Sequence, residues 1–277
     1  MNVAACQGTP RLRDAEFAAI ADLMRRVTGI ELGPGKRALV EARLQRRLRA
    51  LHLASYADYL EYLASDREGD ELVQLIDVVS TNVTSFFREP EHFRFLAELT
   101  DRWLGEGRRR LRFWSAACSS GEEAYSLAMT VAHAARRTDL RILATDISTR
   151  VLRQAVQGNY PEEAVATVPP ESRRRWFRES VAGGRRLYRV ADELKHLIMF
   201  RRLNLSRTPL PVRGVFDAVL CRNVMIYFGG AVRRQLVAEL HRLLRPGGYL
   251  MIGHAETLLG MDEGFAFEAP SIYRRLD

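Results

Sequence analysis

The chain has 277 residues, of which 47% are hydrophobic, and a formal charge of +8, a composition that suits a folded globular protein and excludes a disordered one. No apolar run approaches the roughly 18–20 residues of a spanning helix, and no leader of basic, apolar and small residues opens the sequence, so cytoplasmic residence without membrane insertion is expected. Cys6, Cys118 and Cys221 are odd in number and lack CxxC or Cys/His spacing, which argues against a disulfide framework and against a zinc site; no metal is expected.

The positive charge is a weak pointer to nucleic acid. Of 42 basic residues all but Lys36 and Lys195 are arginine, which a coding bias explains, and residues 1–105 carry 14 basic against 16 acidic residues while 106–277 carry 28 against 18. From Asp14 to about Val79 apolar residues recur at helical spacing, as in Phe17, Ile20, Leu23 and Met24, with a break at GIELGPGK, residues 29–36. A small helical bundle is predicted. Within it, residues 25–49 reverse the local sign, with eight basic and two acidic residues. The segment KRALVEARLQRRLRALHL places Val40, Leu44, Leu48 and Leu51 on one stripe and Lys36, Arg43, Arg46, Arg47 and Arg49 over much of the rest. That face is either plain solvated surface or a docking surface for an acidic partner, nucleic acid or acidic helices.

From Leu111 onward short β-rich runs alternate with helices. LRFWSAA, LRILATD, FDAVLCRN and YLMIGHAE are the predicted strands, with helices near Gly121 to Ala135, Thr149 to Gln157 and Ala231 to Leu244. Arg245, Pro246, Gly247 and Gly248 stop the last helix and turn the chain into the next strand. This alternation predicts an α/β domain, a parallel sheet wrapped by helices. RLYRV, about residues 186–190, follows the turn signal AGG (182–184), which predicts a small antiparallel hairpin whose edge is either a plain excursion or a place for a partner strand.

In open parallel sheets the ligand sits beyond the carboxyl ends of the strands, where the strand order reverses. The first strand ends near Ala117, and Cys118 to Gly121 lead into a helix; the second ends in Asp146, 25 residues after Gly121, where a carboxylate takes the hydroxyls of an adenosine ribose. No GxxxxGK[ST] occurs, and Glu122 and Glu123 at the helix start are poor neighbours for a pyrophosphate. They suit a positively charged cofactor without phosphates, which favours S-adenosylmethionine over NAD or FAD. Cys118 and Cys221 are read as small packing side chains and His254 as a satisfied histidine rather than a base.

The ordered segments TNVTSFFRE (Thr81 to Glu89), WSAACSSGEEAYS, ATDIS, LNL, CRNVMIYF and LLRPGGYLMIGHAE closely resemble those of the chemotaxis receptor methyltransferases of the CheR type, over about Ala15 to Tyr273. The resemblance implies a Rossmann-like S-adenosylmethionine-dependent methyltransferase domain with a small antiparallel β insertion, preceded by an all-helical domain. Expected boundaries are 1–80 for the helical substrate-docking domain, 81–107 for an interdomain segment contributing to the cofactor site, and 108–277 for the methyltransferase domain, with the insertion at about 177–196.

It further implies transfer of methyl groups to glutamate γ-carboxylates on the cytoplasmic helices of chemoreceptors. By motif, Asn82, Thr84 and Arg88 contact the cofactor, Arg88 through its carboxylate; Glu122 lies at the methionine or adenosine end, Asp146 at the ribose, and Asn204, Leu205, Arg222 and Asn223 complete the pocket. Tyr227 stands beside the transferring methyl, and Arg102 is the loosest match, for a catalytic arginine. On this reading Arg43, Arg46, Arg47 and Arg49 dock the acidic receptor helices, and the inserted hairpin captures a receptor C-terminal tail in some family members. The rivals are a nucleic-acid methyltransferase, against which this chain reads CRNVMIYF where an NPPY-type motif is usual, and a non-catalytic cofactor-binding signalling module.

Overall fold

The computed structural model describes residues 10–182 and 184–277; Cys6 and the central glycine of the 182–184 turn lie outside the described residues. The chain divides into two compact units, one reaching to Thr81 with the short segment Tyr227–Gly229, the other comprising Asn82–Ile226 and Gly230–Asp277. The segment expected to link two domains, 81–107, therefore falls almost wholly in the second unit.

The first unit holds α1 (Asp14–Thr28), α2 (Arg37–Leu51), α3 (Tyr56–Ser65) and α4 (Asp70–Val79). Gly29, at φ 71°, ends α1, and Ser55 and Asp58 cap the start of α3 reciprocally, each side chain accepting the other's backbone N–H at 3.1 and 3.0 Å. The apolar stripe is buried as the spacing predicts, with Ile20 and Met24 of α1 and Val40, Leu44 and Leu48 of α2 in the core.

Two of the four arginines assigned to docking are part of this bundle's own structure. Arg43 Nη1 donates to the carbonyls of Val78, Val79 and Ser80 at 3.1, 3.0 and 2.9 Å, closing the C-terminus of α4. Arg47 makes a forked pair with the buried carboxylate of Glu71, which also accepts from Tyr59 Oη at 2.8 Å. Both positions directly precede a core leucine, so they sit at the margin of the stripe, where long side chains turn inward. Arg46 and Arg49 remain exposed.

The second unit begins with α5 (Pro90–Gly105) and continues through β1 (Arg110–Ser115), α6 (Glu122–Val131), β2 (Asp139–Asp146) and α7 (Thr149–Gln157). There follow β3 (Asn159–Pro161), α8 (Glu162–Val165), α9 (Pro170–Trp176), β4 (Phe177–Ala182), β5 (Arg185–Val190), α10 (Asp192–Lys195) and β6 (Ile198–Arg202). The last elements are β7 (Phe216–Cys221), α11 (Gly230–Leu243), β8 (Leu244–Ile252), β9 (Phe265–Ala269) and β10 (Ile272–Arg275).

The main sheet runs β6-β2-β1-β7-β8-β10-β9; the first five strands are parallel and the last two antiparallel. The predicted stop at RPGG is instead absorbed within β8: pairing jumps from Phe216 with Leu244 to Ala218 with Tyr249, so the glycines form an irregularity of the strand.

The predicted hairpin is β4 and β5, and β3 adds a third strand in the order β3-β5-β4. It is tied down by aromatic edges, Phe86 against Tyr160 at 4.8 Å and against Phe177 at 5.5 Å.

Candidate active site

Strand order reverses between β1 and β7, so the turns after these strands, together with the end of β2, face one crevice. After β1 the chain turns through Ser119, at φ 47°, and Gly121, at φ 101°. A side chain at Gly121 is excluded on two grounds: this backbone conformation disfavours L residues, and a Cβ would lie 2.8 Å from Tyr160 Oη and 2.9 Å from Ala155 Cβ. Tyr160 Oη also donates to the Ser120 carbonyl at 2.7 Å.

Asp146 is buried at the end of β2, where its two oxygens accept the N–H groups of Ser119 and Ser148, each at 2.9 Å. Beside it, Ser119 Oγ donates to the Asn82 carbonyl at 3.1 Å, and Asn82 Nδ2 is shielded from solvent with no hydrogen-bond partner. A shielded donor of this kind next to a carboxylate fits a ligand carrying both hydroxyl groups and acceptor atoms. Glu122 is buried at the start of α6, accepting from Ser120 Oγ at 2.7 Å; burial pushes its carboxyl above the ordinary range.

The two acids at the helix start have separate roles. Glu123 turns into the protein, accepting Ser115 Oγ at 2.6 Å and Arg222 Nη1 at 2.9 Å; burial raises its carboxyl and Arg222 pulls it back. Arg222, expected to help complete the pocket, has its guanidinium almost wholly buried and committed to Glu123, to Glu89 at 3.0 Å and to the Arg88 carbonyl. Its contribution to a ligand is thereby reduced to backbone and to holding others in place.

Glu89, at the end of TNVTSFFRE, is a carboxylate to which the motif alone assigns no role. Its Oε1 accepts from Asn223 Nδ2 and the His254 N–H, each at 3.3 Å. Burial opposes its ionisation, yet Arg222, with Asn223 and the His254 N–H, holds its carboxyl below the ordinary range.

Glu256 is the second such residue: its carboxylate accepts backbone N–H groups of Gly253, Asn223, Met225 and Ile226 at 2.6, 2.8, 2.8 and 3.3 Å. Phe87, Glu89, Ser119 and Asn223 all have φ between 47° and 56°, a conformation that costs non-glycine residues about 1–3 kcal/mol each and concentrates at functional sites.

Arg88 folds back with Nη1 3.2 Å from the Val83 carbonyl. Asn204 Oδ1 accepts the Ser206 N–H at 3.0 Å, and Leu205 is buried. Thr84 is half-buried in the extended segment before Phe86. Tyr227 lies in the helical unit's segment, its carbonyl accepting the Glu31 N–H at 2.8 Å and its ring 6.0 Å from Lys36 Nζ. Arg102 stands apart from these residues. It is exposed in the last turn of α5 and interacts with Tyr249, which lies three residues short of the β8 terminus, away from Asp146 and Arg222.

Cys118 and Cys221 are buried free thiols whose ionisation burial pushes far up, which suits packing rather than nucleophilic chemistry. His254 is exposed instead of satisfied in the interior.

Residues 82–273 match the family model described as CheR methyltransferase, SAM binding domain, and residues 15–80 match that of the CheR methyltransferase all-alpha domain. The chain belongs to the CheR methyltransferase family. It is 41% identical over 246 residues to chemotaxis protein methyltransferase 2 of Pseudomonas aeruginosa, covering 88% of this chain and 87% of that one. To the chemotaxis protein methyltransferase of Escherichia coli it is 38% identical over 264 residues, 95% of this chain and 91% of the other. The Borreliella burgdorferi relative of the same name is 34% identical over 269 residues, 94% of each. As a CheR-family enzyme the chain takes S-adenosylmethionine as its methyl donor, which the phosphate-free, acid-bearing turn after β1 fits. No helix among the described residues is long and apolar enough to cross a membrane.

Proposed function

We propose that this methyltransferase acts in the cytoplasm on chemoreceptors, converting glutamate γ-carboxylates on their signalling helices to methyl esters for sensory adaptation. The observation that carries the reading is the crevice of Asp146, the Ser119–Gly121 turn, Glu122 and the unpaired Asn82 amide, which suits an adenosine-bearing cationic donor. The relatives named as chemotaxis methyltransferases supply the substrate class.

When bound, S-adenosylmethionine supplies a methyl group on a positively charged sulfur. A glutamate side chain ionises near pH ~4.3, so at neutral pH the attacking oxygen needs no general base. The work left to the protein is alignment and exclusion of water. In this reading Asp146 takes the ribose hydroxyls, Glu122 the positive end or the hydroxyls, and Arg88 swings from Val83 to the methionine carboxylate. Asn82, Thr84, Asn204, Leu205 and the Asn223 backbone close the pocket. Tyr227 orients the incoming carboxylate or faces the methyl; Arg102 is not retained.

Labelled S-adenosylmethionine incubated with receptor fragments is expected to leave base-labile label on receptor glutamates. Label on nucleic acid, or no label, overturns the proposal in favour of the corresponding rival. Asp146→Ala should weaken cofactor binding by about tenfold or more, the loss expected for a charged hydrogen-bonding partner; near-normal affinity in calorimetry rejects the site.

Docking of acidic receptor helices falls to Arg46 and Arg49, the exposed members of the basic face. Reversing both to glutamate is expected to raise the receptor KM with cofactor affinity intact, whereas an unchanged KM rules docking out. A receptor C-terminal tail would add to β4, which pairs only with β5 among the described residues and exposes Val181. Calorimetry with tail peptides tests this, and no heat for any tail points to tail-independent docking.

A further inference from the structure

We propose that Glu89, His92 and His254 form a binding site for a divalent transition metal, with Zn²⁺ the best fit. Glu89 Oε2 lies 3.7 Å from His92 Nδ1 and 4.0 Å from His254 Nε2, and one ligand atom from each of the three falls within 4.8 Å of the others. The rings of His92 and His254 meet edge to face at 5.4 Å.

His92 is the observation that makes this more than proximity. Its side chain is completely buried, and neither ring nitrogen has a hydrogen-bond partner. Buried imidazoles ordinarily satisfy both nitrogens, one as donor and one as acceptor, and an orphan in the interior is unfavourable.

The donor set selects the ion. Two imidazole nitrogens and one carboxylate oxygen, without thiolate, suit Zn²⁺ with a fourth, solvent-filled position, and disfavour Mg²⁺ and Ca²⁺, which want oxygen ligands. In a tetrahedral zinc site, ligands at roughly 2.1 Å from the ion stand about 3.4 Å apart, so the three groups, within 4.8 Å of one another, need to contract by about 1.4 Å at most. His254, whose side chain is 48% exposed, is free to rotate inward. The second Glu89 oxygen is already oriented by Asn223 Nδ2 and the His254 N–H, the outer contacts that fix a ligating carboxylate.

Arg222 shares Glu89 Oε2 at 3.0 Å, so an entering cation competes with it. Given the pocket assignment above, occupancy loosens the anchor of the post-β7 turn and weakens methyl-donor binding; metal binding itself does not depend on that assignment. By thermodynamic linkage the donor then weakens zinc by the same factor.

Titration of the metal-free full-length chain carrying Cys6→Ser with ZnCl₂ is expected to give one saturable, chelator-reversible site. Co²⁺ in the same protein should show tetrahedral d–d bands without thiolate charge transfer. His254→Ala, at an exposed position, should weaken binding by about tenfold or more, and His92→Gln should do likewise. Absence of saturable binding, a thiolate signature, or affinity unchanged in both variants overturns the site. Donor affinity unchanged by saturating zinc overturns the linkage.

Discussion

Replacing Arg222 with methionine is expected to destabilise the methyltransferase unit by about 3–5 kcal/mol, the range for removing one partner of a buried ion pair. Methionine has similar length and apolar bulk, so packing against Phe93, whose ring lies 5.5 Å from the guanidinium carbon, is largely kept and the loss is electrostatic. Glu123 would be left in the interior with the Ser115 hydroxyl donating to it, and Glu89 and the Arg88 carbonyl would lose the Arg222 donor. Chemical denaturation measures the effect. Adding Glu123→Met to the same protein should recover a large part of it, because the uncompensated charge is then gone. A single variant as stable as the parent would show that the Glu89–Arg222–Glu123 chain of charges carries little of the fold's stability.

The second large effect is expected at Glu256. Truncation to alanine removes the common acceptor of four backbone N–H groups, three of them in the turn Asn223–Ile226. Asn223 sits at φ 56°, a conformation that persists only where its surroundings enforce it. Release of the turn by an ångström is enough to cost about a hundredfold in kcat for a reaction that depends on alignment. Glu256→Gln should fall close to alanine, since its amide NH₂ would face donors. The diagnostic is a drop in kcat and donor affinity with the receptor KM little changed. A variant with normal kcat and normal donor affinity would mean the turn is held by Glu89 alone.

Much of the scaffold was legible because it depends on local pattern: helical spacing before Val79, alternation after Leu111, and an acid closing the second strand. The parts that were not legible depend on direction and distance. Arg222 and Asn223 were correctly located at the end of a strand, but position says nothing of where a side chain points, and the partner of Arg222, Glu123, is 99 residues away. Glu89 and Glu256 lie inside TNVTSFFRE and GHAE beside asparagine, arginine and histidine, whose chemistry is the more conspicuous in sequence. A carboxylate three residues after the glycine that follows the strand end was the available signal for Glu256.

Arg43 and Arg47 turn inward for another reason: a helix face divided into apolar and charged halves has margins, and margin residues with long stems reach inward. Nor does composition distinguish RPGG as a turn from RPGG as an irregular stretch of β8, since pairing with β7 decides it.

The three-stranded insertion cannot be treated as a removable cassette. Tyr160 belongs to its β3 edge, and the same hydroxyl that closes over Gly121 is bonded to Ser120. Excising the insertion to ask whether receptors are captured there would also unroof the turn after β1, and a resulting loss of activity would be attributed to the wrong partner. Changes confined to β4, on the opposite edge, leave that roof in place and keep recruitment and chemistry separable.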